Sequence, residues 1–132
     1  MAFRSLLLLL VLGLIACDST DADTYAADAQ SGEVSIALDE TASLDGLSLT
    51  FDDVVEDSRC PAGVACIWEG QARVSLMAGG QEITLLVVDP ERRPDAGARV
   101  GDRVLFAVRL TPEPTQTPSD DTPVVTVVSF DR

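Results

Sequence analysis

Residues 72–87 read ARVSLMAGGQEITLLV. Apolar side chains take every second position on both sides of Gly79-Gly80, which is the period of a half-buried β-strand. Two adjacent glycines accept the positive φ angles that a tight hairpin turn needs. The segment therefore predicts an antiparallel hairpin and indicates an antiparallel β fold.

The same two-residue period recurs on both sides of this hairpin, in segments 34–38, 47–55, 104–110 and 124–130. Loops that contain proline and glycine separate these segments, and none of the sequence after Cys17 has the period of an amphipathic helix. The pattern predicts an all-β domain over 33–132, folded as a small antiparallel β-sandwich of six to seven strands. A small barrel is the alternative.

The sequence begins with the form of a secretory signal. Arg4 precedes an apolar run at 6–16, which is shorter than the ~20 residues that a transmembrane helix needs. The run ends LIAC at 14–17, which resembles the bacterial lipobox. The resemblance implies that 1–16 is a cleaved lipoprotein signal peptide and that Cys17 carries fatty-acyl chains such as palmitate. An ordinary cleaved signal or an uncleaved anchor is the alternative.

This resemblance also implies a location. Acyl chains on Cys17 would bind the protein stably to a membrane of the bacterial cell envelope. The sequence does not choose between the inner and the outer membrane. Residues 17–32 are small and acidic and have no hydrophobic period, so we expect a flexible tether with a span of roughly 20 Å.

Charge is distributed unevenly along the chain. The 132 residues include 22 acidic and nine basic side chains, a formal charge of −13, and no lysine, histidine or asparagine. Twelve of the acids and no base lie in 17–57, whereas 58–132 holds ten acids and eight arginines. Nucleic-acid binding depends on clustered basic side chains, so the composition argues against DNA or RNA as a partner.

Residues 57–70, DSRCPAGVACIWEG, connect the second and third of the predicted strands. Because the signal directs the chain to an oxidising compartment and Cys17 is assigned to lipid, we predict a disulfide between Cys60 and Cys66. The spacing differs from that of Cys-x-x-Cys redox motifs, and no histidine is present to complete a zinc site. We therefore expect a structural bridge worth about 2 kcal/mol.

Arg59, Pro61 and Trp68 are the candidate interaction residues around this bridge. In an extended strand Trp68 would share a face with Cys66, so we expect it to pack over the bridge or the adjoining core. An exposed tryptophan in a ligand groove is the alternative. We expect Pro61 to stiffen the loop and Arg59 to pair with Asp57.

The motif DSRCPxxVxCxWxGxA over 57–72 resembles a signature of small bacterial lipoproteins of uncharacterised function, which have a single β-rich domain. The resemblance implies a β-rich fold and a disulfide. It implies no catalytic residue.

Side chains that support catalysis are scarce. Without histidine, lysine or a spare thiol, carboxylates such as Asp52 and Asp53 are the main candidates, and strand alternation would send these two to opposite faces. No Asp-x-Asp-x-Asp-Gly calcium loop is present. We expect neither enzymatic activity nor a cofactor or metal.

The predicted function is a lipid-anchored accessory or interaction module with an envelope protein as its partner. The alternative is inhibition of a protease or other hydrolase through the loop 60–66.

Five arginines lie in 92–109, against Asp95 and Asp102. We expect them to pair with the acidic N-terminal half of the chain or with Asp120 and Asp121. The alternative is a surface that binds a carboxylate or phosphate group.

Overall fold

The hairpin predicted at 72–87 is present in the computed structural model, which describes residues 32–131. Ala78 and Gln81 pair across the turn, and Gly79 and Gly80 have φ angles of 57° and 84°. These angles fit a type I′ turn, whose twist matches that of the flanking strands.

The described chain forms two four-stranded antiparallel sheets. In chain order the strands are β1 (Gly32–Ala37), β2 (Thr41–Leu44), β3 (Leu47–Asp57), β4 (Ala72–Ala78), β5 (Gln81–Leu86), β6 (Ala98–Val100), β7 (Arg103–Thr111) and β8 (Val124–Asp131). One sheet has the order β1-β8-β7-β6 and the other β2-β3-β4-β5. A short 3-10 helix, Pro94–Ala96, precedes β6. The predicted antiparallel β-sandwich is confirmed.

Going around the sandwich, the strands follow one another in chain order. The first and last strands, β1 and β8, pair side by side in one sheet. The sheets are also linked along their sides. On one side Val87 forms an isolated parallel bridge with Ala107. On the other, Leu38 donates to the Pro123 carbonyl and Asp39 to the Phe51 carbonyl, at 2.9 and 2.8 Å. Backbone hydrogen bonds therefore tie the two layers together.

The core lies between the sheets and takes alternate residues from the facing strands. The largest fully buried apolar side chains are Phe51, Ile36, Leu49, Leu76, Leu85, Leu105, Val74, Val125 and Val127. Burying one such side chain contributes roughly 1.5–3 kcal/mol, so this row supplies the main driving force for folding.

Two of the eight strands were not among the segments that alternation predicted. These are β2 and β6, which have four and three residues and lie at sheet edges. Asp52 and Asp53 are solvated, as the sequence led us to expect, but the alternation that was expected to separate them is interrupted. β3 has a bulge between Phe51 and Asp53, which interrupts the two-residue period, and Asp52 and Asp53 are both exposed.

A polar cluster closes one end of the sandwich around Asp45, in the β2–β3 turn. Its carboxylate accepts a hydrogen bond from the hydroxyl of Ser129, which is fully buried on β8 of the opposite sheet. It also lies 3.0 Å from a guanidinium nitrogen of Arg103, whose same nitrogen lies 3.1 Å from Asp131. With Gly46, Asp45 forms a type I′ turn at φ angles of 51° and 81°. One aspartate thus shapes the turn and joins the two sheets.

We expect Asp45→Ala to lower the free energy of unfolding by about 1–3 kcal/mol. The change removes the Arg103 pair, leaves the buried Ser129 hydroxyl without its acceptor and puts an alanine at positive φ. Asp45→Asn is the matched control, because its amide oxygen can still accept from Ser129 and asparagine tolerates the turn. Urea unfolding of both variants tests this, and equal losses would contradict the role assigned to the Ser129 hydrogen bond.

Candidate interaction site

The loop between β3 and β4 has a closed neck. The Ser58 amide donates to the Gln71 carbonyl at 2.8 Å, and the Gln71 amide donates to the Ser58 hydroxyl at 3.1 Å. The Gln71 side chain donates to both carboxylate oxygens of Glu56, at 3.2 and 3.0 Å. Gly70 has a φ of 68°, and a Cβ there would overlap the Ser58 carbonyl. Only glycine fits this close approach of the two chains.

The predicted disulfide joins Cys60 and Cys66 across the loop above this neck, with the two Cα atoms 6.0 Å apart. Closing a loop this short removes a modest amount of unfolded-chain entropy, worth about 2 kcal/mol. Its main structural effect is to hold the two legs of the loop at a fixed separation.

Arg59 attaches the loop to both sheets. Its guanidinium makes two hydrogen bonds to the Asp57 carboxylate, at 2.8 and 2.7 Å, which confirms the predicted pair. It also donates to the carbonyl of Leu110 at 2.8 Å and to that of Pro112 at 3.2 Å. Glu113 lies 3.4 Å from it. Asp57 ends β3 and Leu110 lies near the end of β7, so the arginine bridges the two layers.

These contacts change the pKa of both partners. The hydrogen bond from Arg59 lowers the pKa of Asp57, although partial burial opposes the shift. The same hydrogen bond raises the pKa of Arg59. The Asp57 carboxylate and the Arg59 guanidinium are therefore stabilised in their charged forms.

The loop also rests on the proline-containing segment between β7 and β8. The Ala62 amide donates to the Pro114 carbonyl at 3.1 Å, and the Val64 amide donates to the carbonyl of Pro61 at 3.2 Å. A cavity of about 290 Å³ lies where this segment meets Arg59. Pro61 thus takes part in the turn, as the sequence predicted, while Arg59 faces inward.

The outward part of the loop carries three large apolar side chains. Val64, Ile67 and Trp68 are 43%, 94% and 68% exposed. The expectation that Trp68 packs over the bridge or the core is wrong. It assumed an extended strand through Cys66, whereas residues 58–71 contain no strand and the chain turns at Ile67 and Trp68. We call Val64, Ile67 and Trp68 the apolar tip.

Sequence reasoning missed Val64 and Ile67 as members of this surface. A usable signal was present, because Ile67 and Trp68 are adjacent in a segment bounded by Cys66 and Gly70. Two neighbouring large apolar residues cannot both face the core of an alternating strand.

Three of the five arginines of 92–109 form ion pairs within the described residues, but only Arg103 pairs with the acidic N-terminal half, and none pairs with Asp120 or Asp121. Arg103 contacts Asp45 and Asp131, Arg93 lies 3.1 Å from Asp95, and Arg92 lies 3.9 Å from Asp89. Among the described residues, Arg99 and Arg109 form no ion pair.

Neither a metal centre nor a membrane-crossing helix is found between residues 32 and 131. Within that range no group of three or more His, Cys, Asp or Glu side chains could hold a metal ion. No helix there is long and apolar enough to cross a bilayer. The predicted signal peptide over 1–16, the predicted lipidation site Cys17 and most of the predicted tether lie outside the described residues.

Comparison with known proteins gave no match to a family model, a curated protein or a solved structure.

We expect the stability of the domain to fall in acid through Asp57. Its pKa is lowered in the folded state relative to about 3.9 when unfolded, so the ion pair stabilises the fold fully above about pH 4 and is lost as pH falls below it. Between about pH 5 and pH 2.5, urea unfolding should show a steeper loss for the natural chain than for Asp57→Asn. Asp53 is an exposed carboxylate on the same strand and serves as the control. The variant Asp53→Asn should lose unfolding free energy with falling pH as steeply as the natural chain. If the free energy of unfolding fell equally steeply with pH in all three chains, the stabilising role of the Asp57–Arg59 ion pair would be contradicted.

Proposed function

We propose that this protein is a lipid-anchored lipoprotein of the bacterial cell envelope that binds another envelope protein through the apolar tip. The proposal has two parts, which rest on different residues. Anchoring rests on the lipobox-like sequence at 14–17, and binding rests on the exposed side chains of the disulfide loop.

The observation that carries the binding function is the exposure of Val64, Ile67 and Trp68 within one loop, whose two ends are joined by the Ser58–Gln71 hydrogen bonds. Single exposed apolar residues are ordinary on protein surfaces, but a group of them marks an interaction site. Between residues 32 and 131 the other large exposed apolar side chains are Val55 and Phe130. Phe130 packs its ring edge to face against Phe106, with centroids 5.7 Å apart, so it is already partly covered.

The way the tip is held favours binding. The disulfide closes the loop, the Ser58–Gln71 contacts close its neck, and Arg59 fixes it to both sheets. A loop that is ordered before association loses less conformational entropy when a partner binds. Tryptophan is also among the residues that most often dominate binding energy at interfaces.

Inhibition of a protease or other hydrolase is the second candidate, and the same covalent closure favours it. The structure changes which residues would make the contact. Arg59 is only 17% exposed, and it would have to leave Asp57, Leu110 and Pro112 to enter a specificity pocket. An inhibitory contact would therefore also use the apolar tip.

Anchoring is tested by Cys17→Ser in the producing bacterium. We expect this variant to remain an unprocessed precursor that does not incorporate labelled palmitate, because the serine supplies no thiol for acylation. The double variant Cys60→Ser, Cys66→Ser is the matched control, and it should be lipidated and cleaved normally. Palmitate incorporation by Cys17→Ser, or its normal cleavage, would contradict the anchor.

Binding is tested by a photoreactive amino acid placed at Ile67 of the full chain in cells. We expect irradiation to give a discrete adduct with one other envelope protein, identified by mass spectrometry. The same group at Thr84, exposed on β5, is the control and should give no such adduct. The added change Trp68→Ser should lower the adduct yield about tenfold, because a central aromatic contact contributes about 1–2 kcal/mol to the binding free energy. A yield that does not depend on Trp68 would contradict binding through the tip.

A further inference from the structure

Resting on this proposed function, we infer that the partner is a protein with an apolar pocket rimmed by lysine or arginine, met at the end of the domain away from the anchored terminus. Two features of the described residues lead to this partner. One is the position of the loop in the sandwich, and the other is the charge around the apolar tip.

The apolar tip and the start of β1 lie at opposite ends of the sandwich. Gly32 begins β1, and a Cβ on it would collide with the Asp45 carboxylate in the β2–β3 turn. β3 runs from that turn to Asp57, where the disulfide loop leaves the sheet. Eleven strand residues span about 30 Å. The tether therefore enters the domain about 30 Å from the end that carries the tip.

The end that carries the tip is acidic. Its carboxylates belong to Glu56, Asp57, Glu69, Asp89, Asp95, Glu113 and Asp121. Its guanidinium groups belong to Arg59, Arg73, Arg92, Arg93 and Arg109. Arg59 is held by Asp57, and Arg73 by Glu56 at 3.7 Å.

Glu69, directly after Trp68, is exposed and forms no ion pair among residues 32–131. Arg92 and Arg93 line a cavity of about 410 Å³ beside it, but each already pairs with an aspartate. Carboxylates therefore outnumber guanidinium groups at the end that carries the apolar tip, and the charge of Glu69 lies next to Trp68 in the chain.

This charge selects among the surfaces that could cover the apolar tip. A second copy of the chain would bring the same carboxylates together, and like charges across an interface cost free energy. An anionic bilayer would repel them as well. A protein surface with an apolar pocket and a basic rim satisfies both the exposed side chains and the carboxylates. It also gives association that weakens as salt screens the charges.

The membrane and the second copy are tested with Trp68, the only tryptophan of the chain. The lipidated full chain is placed in phosphatidylcholine vesicles that contain brominated acyl chains. We expect Trp68 emission to be unchanged by the bromine and to be quenched by aqueous acrylamide at every protein concentration. Quenching by the brominated lipid would overturn the inference in favour of the membrane. Protection from acrylamide that grows with concentration would overturn it in favour of self-association.

The basic rim is tested in isolated envelopes that carry the photoreactive group at Ile67. We expect the yield of the heterologous adduct to fall about fivefold between about 50 and about 500 mM NaCl. Glu69→Arg should lower the yield about fivefold at low salt, because it places a positive charge against the rim. Glu33→Arg, an exposed site next to Gly32, makes the same charge change at the other end and should leave the yield unchanged.

The outcomes separate the inference from the function on which it rests. A heterologous adduct that is insensitive to salt and to Glu69→Arg contradicts the basic rim and leaves binding through the tip intact. If Ile67 gives no heterologous adduct, both the inference and the proposed binding function are wrong.

Discussion

The contacts of the Arg59 guanidinium fix the end of the molecule that carries the apolar tip. The guanidinium contacts a carboxylate at the end of β3 and two carbonyls at and just beyond the end of β7. The disulfide alone would close the loop but would leave it free to swing about its neck. The arginine removes that freedom, because it couples the leg that carries Cys60 to both layers of the sandwich. The disulfide thus closes the loop, and Arg59 fixes its position relative to the two sheets.

Rigid placement also explains how three apolar side chains stay in water. With Cys60 and Cys66 tied together and Ala62 bound to the Pro114 carbonyl, the loop cannot fold back over the sheet. The interior is also already filled by the alternating rows of β3, β4, β7 and β8. Burying Trp68 would require breaking the contacts of Arg59 or displacing this core. Packed interiors accept extra volume poorly. The exposure of the apolar tip therefore follows from restraints elsewhere in the loop.

The sequence predicted those parts of the fold in which local pattern and burial agree. Six strands have a clear two-residue period because one face of each packs into the core. β2 and β6 lack enough length to show a period, and pairing with longer neighbours defines them instead. The exposure of Asp52 and Asp53 was predictable because both side chains are charged, whereas the residue types do not indicate the bulge between Phe51 and Asp53.

The same contrast holds at the site. The Cys60–Cys66 bridge and the Asp57–Arg59 pair were predictable because their partners are close in sequence and chemically matched. The exposure of Trp68 was not, since it depends on where the loop lies relative to β7. That placement is set by hydrogen bonds from Arg59 to carbonyls at 110 and 112, and backbone carbonyls carry no sequence signal. A side chain that binds backbone groups far along the chain cannot be assigned a partner from the residue types alone.

At each end of the sandwich an arginine side chain joins the two sheets. Arg103 holds Asp45 and Asp131 at one end, and Arg59 holds a carboxylate and two carbonyls at the other. A guanidinium presents five N–H donors in a fixed plane, whereas an ammonium presents three from a single point. Arg59 uses this spread of donors, because its Nε and both terminal nitrogens reach acceptors that belong to the two sheets. The arginine-only composition therefore suits a fold that is fastened at its ends, and the exposed Glu69 beside Trp68 takes no part in these contacts.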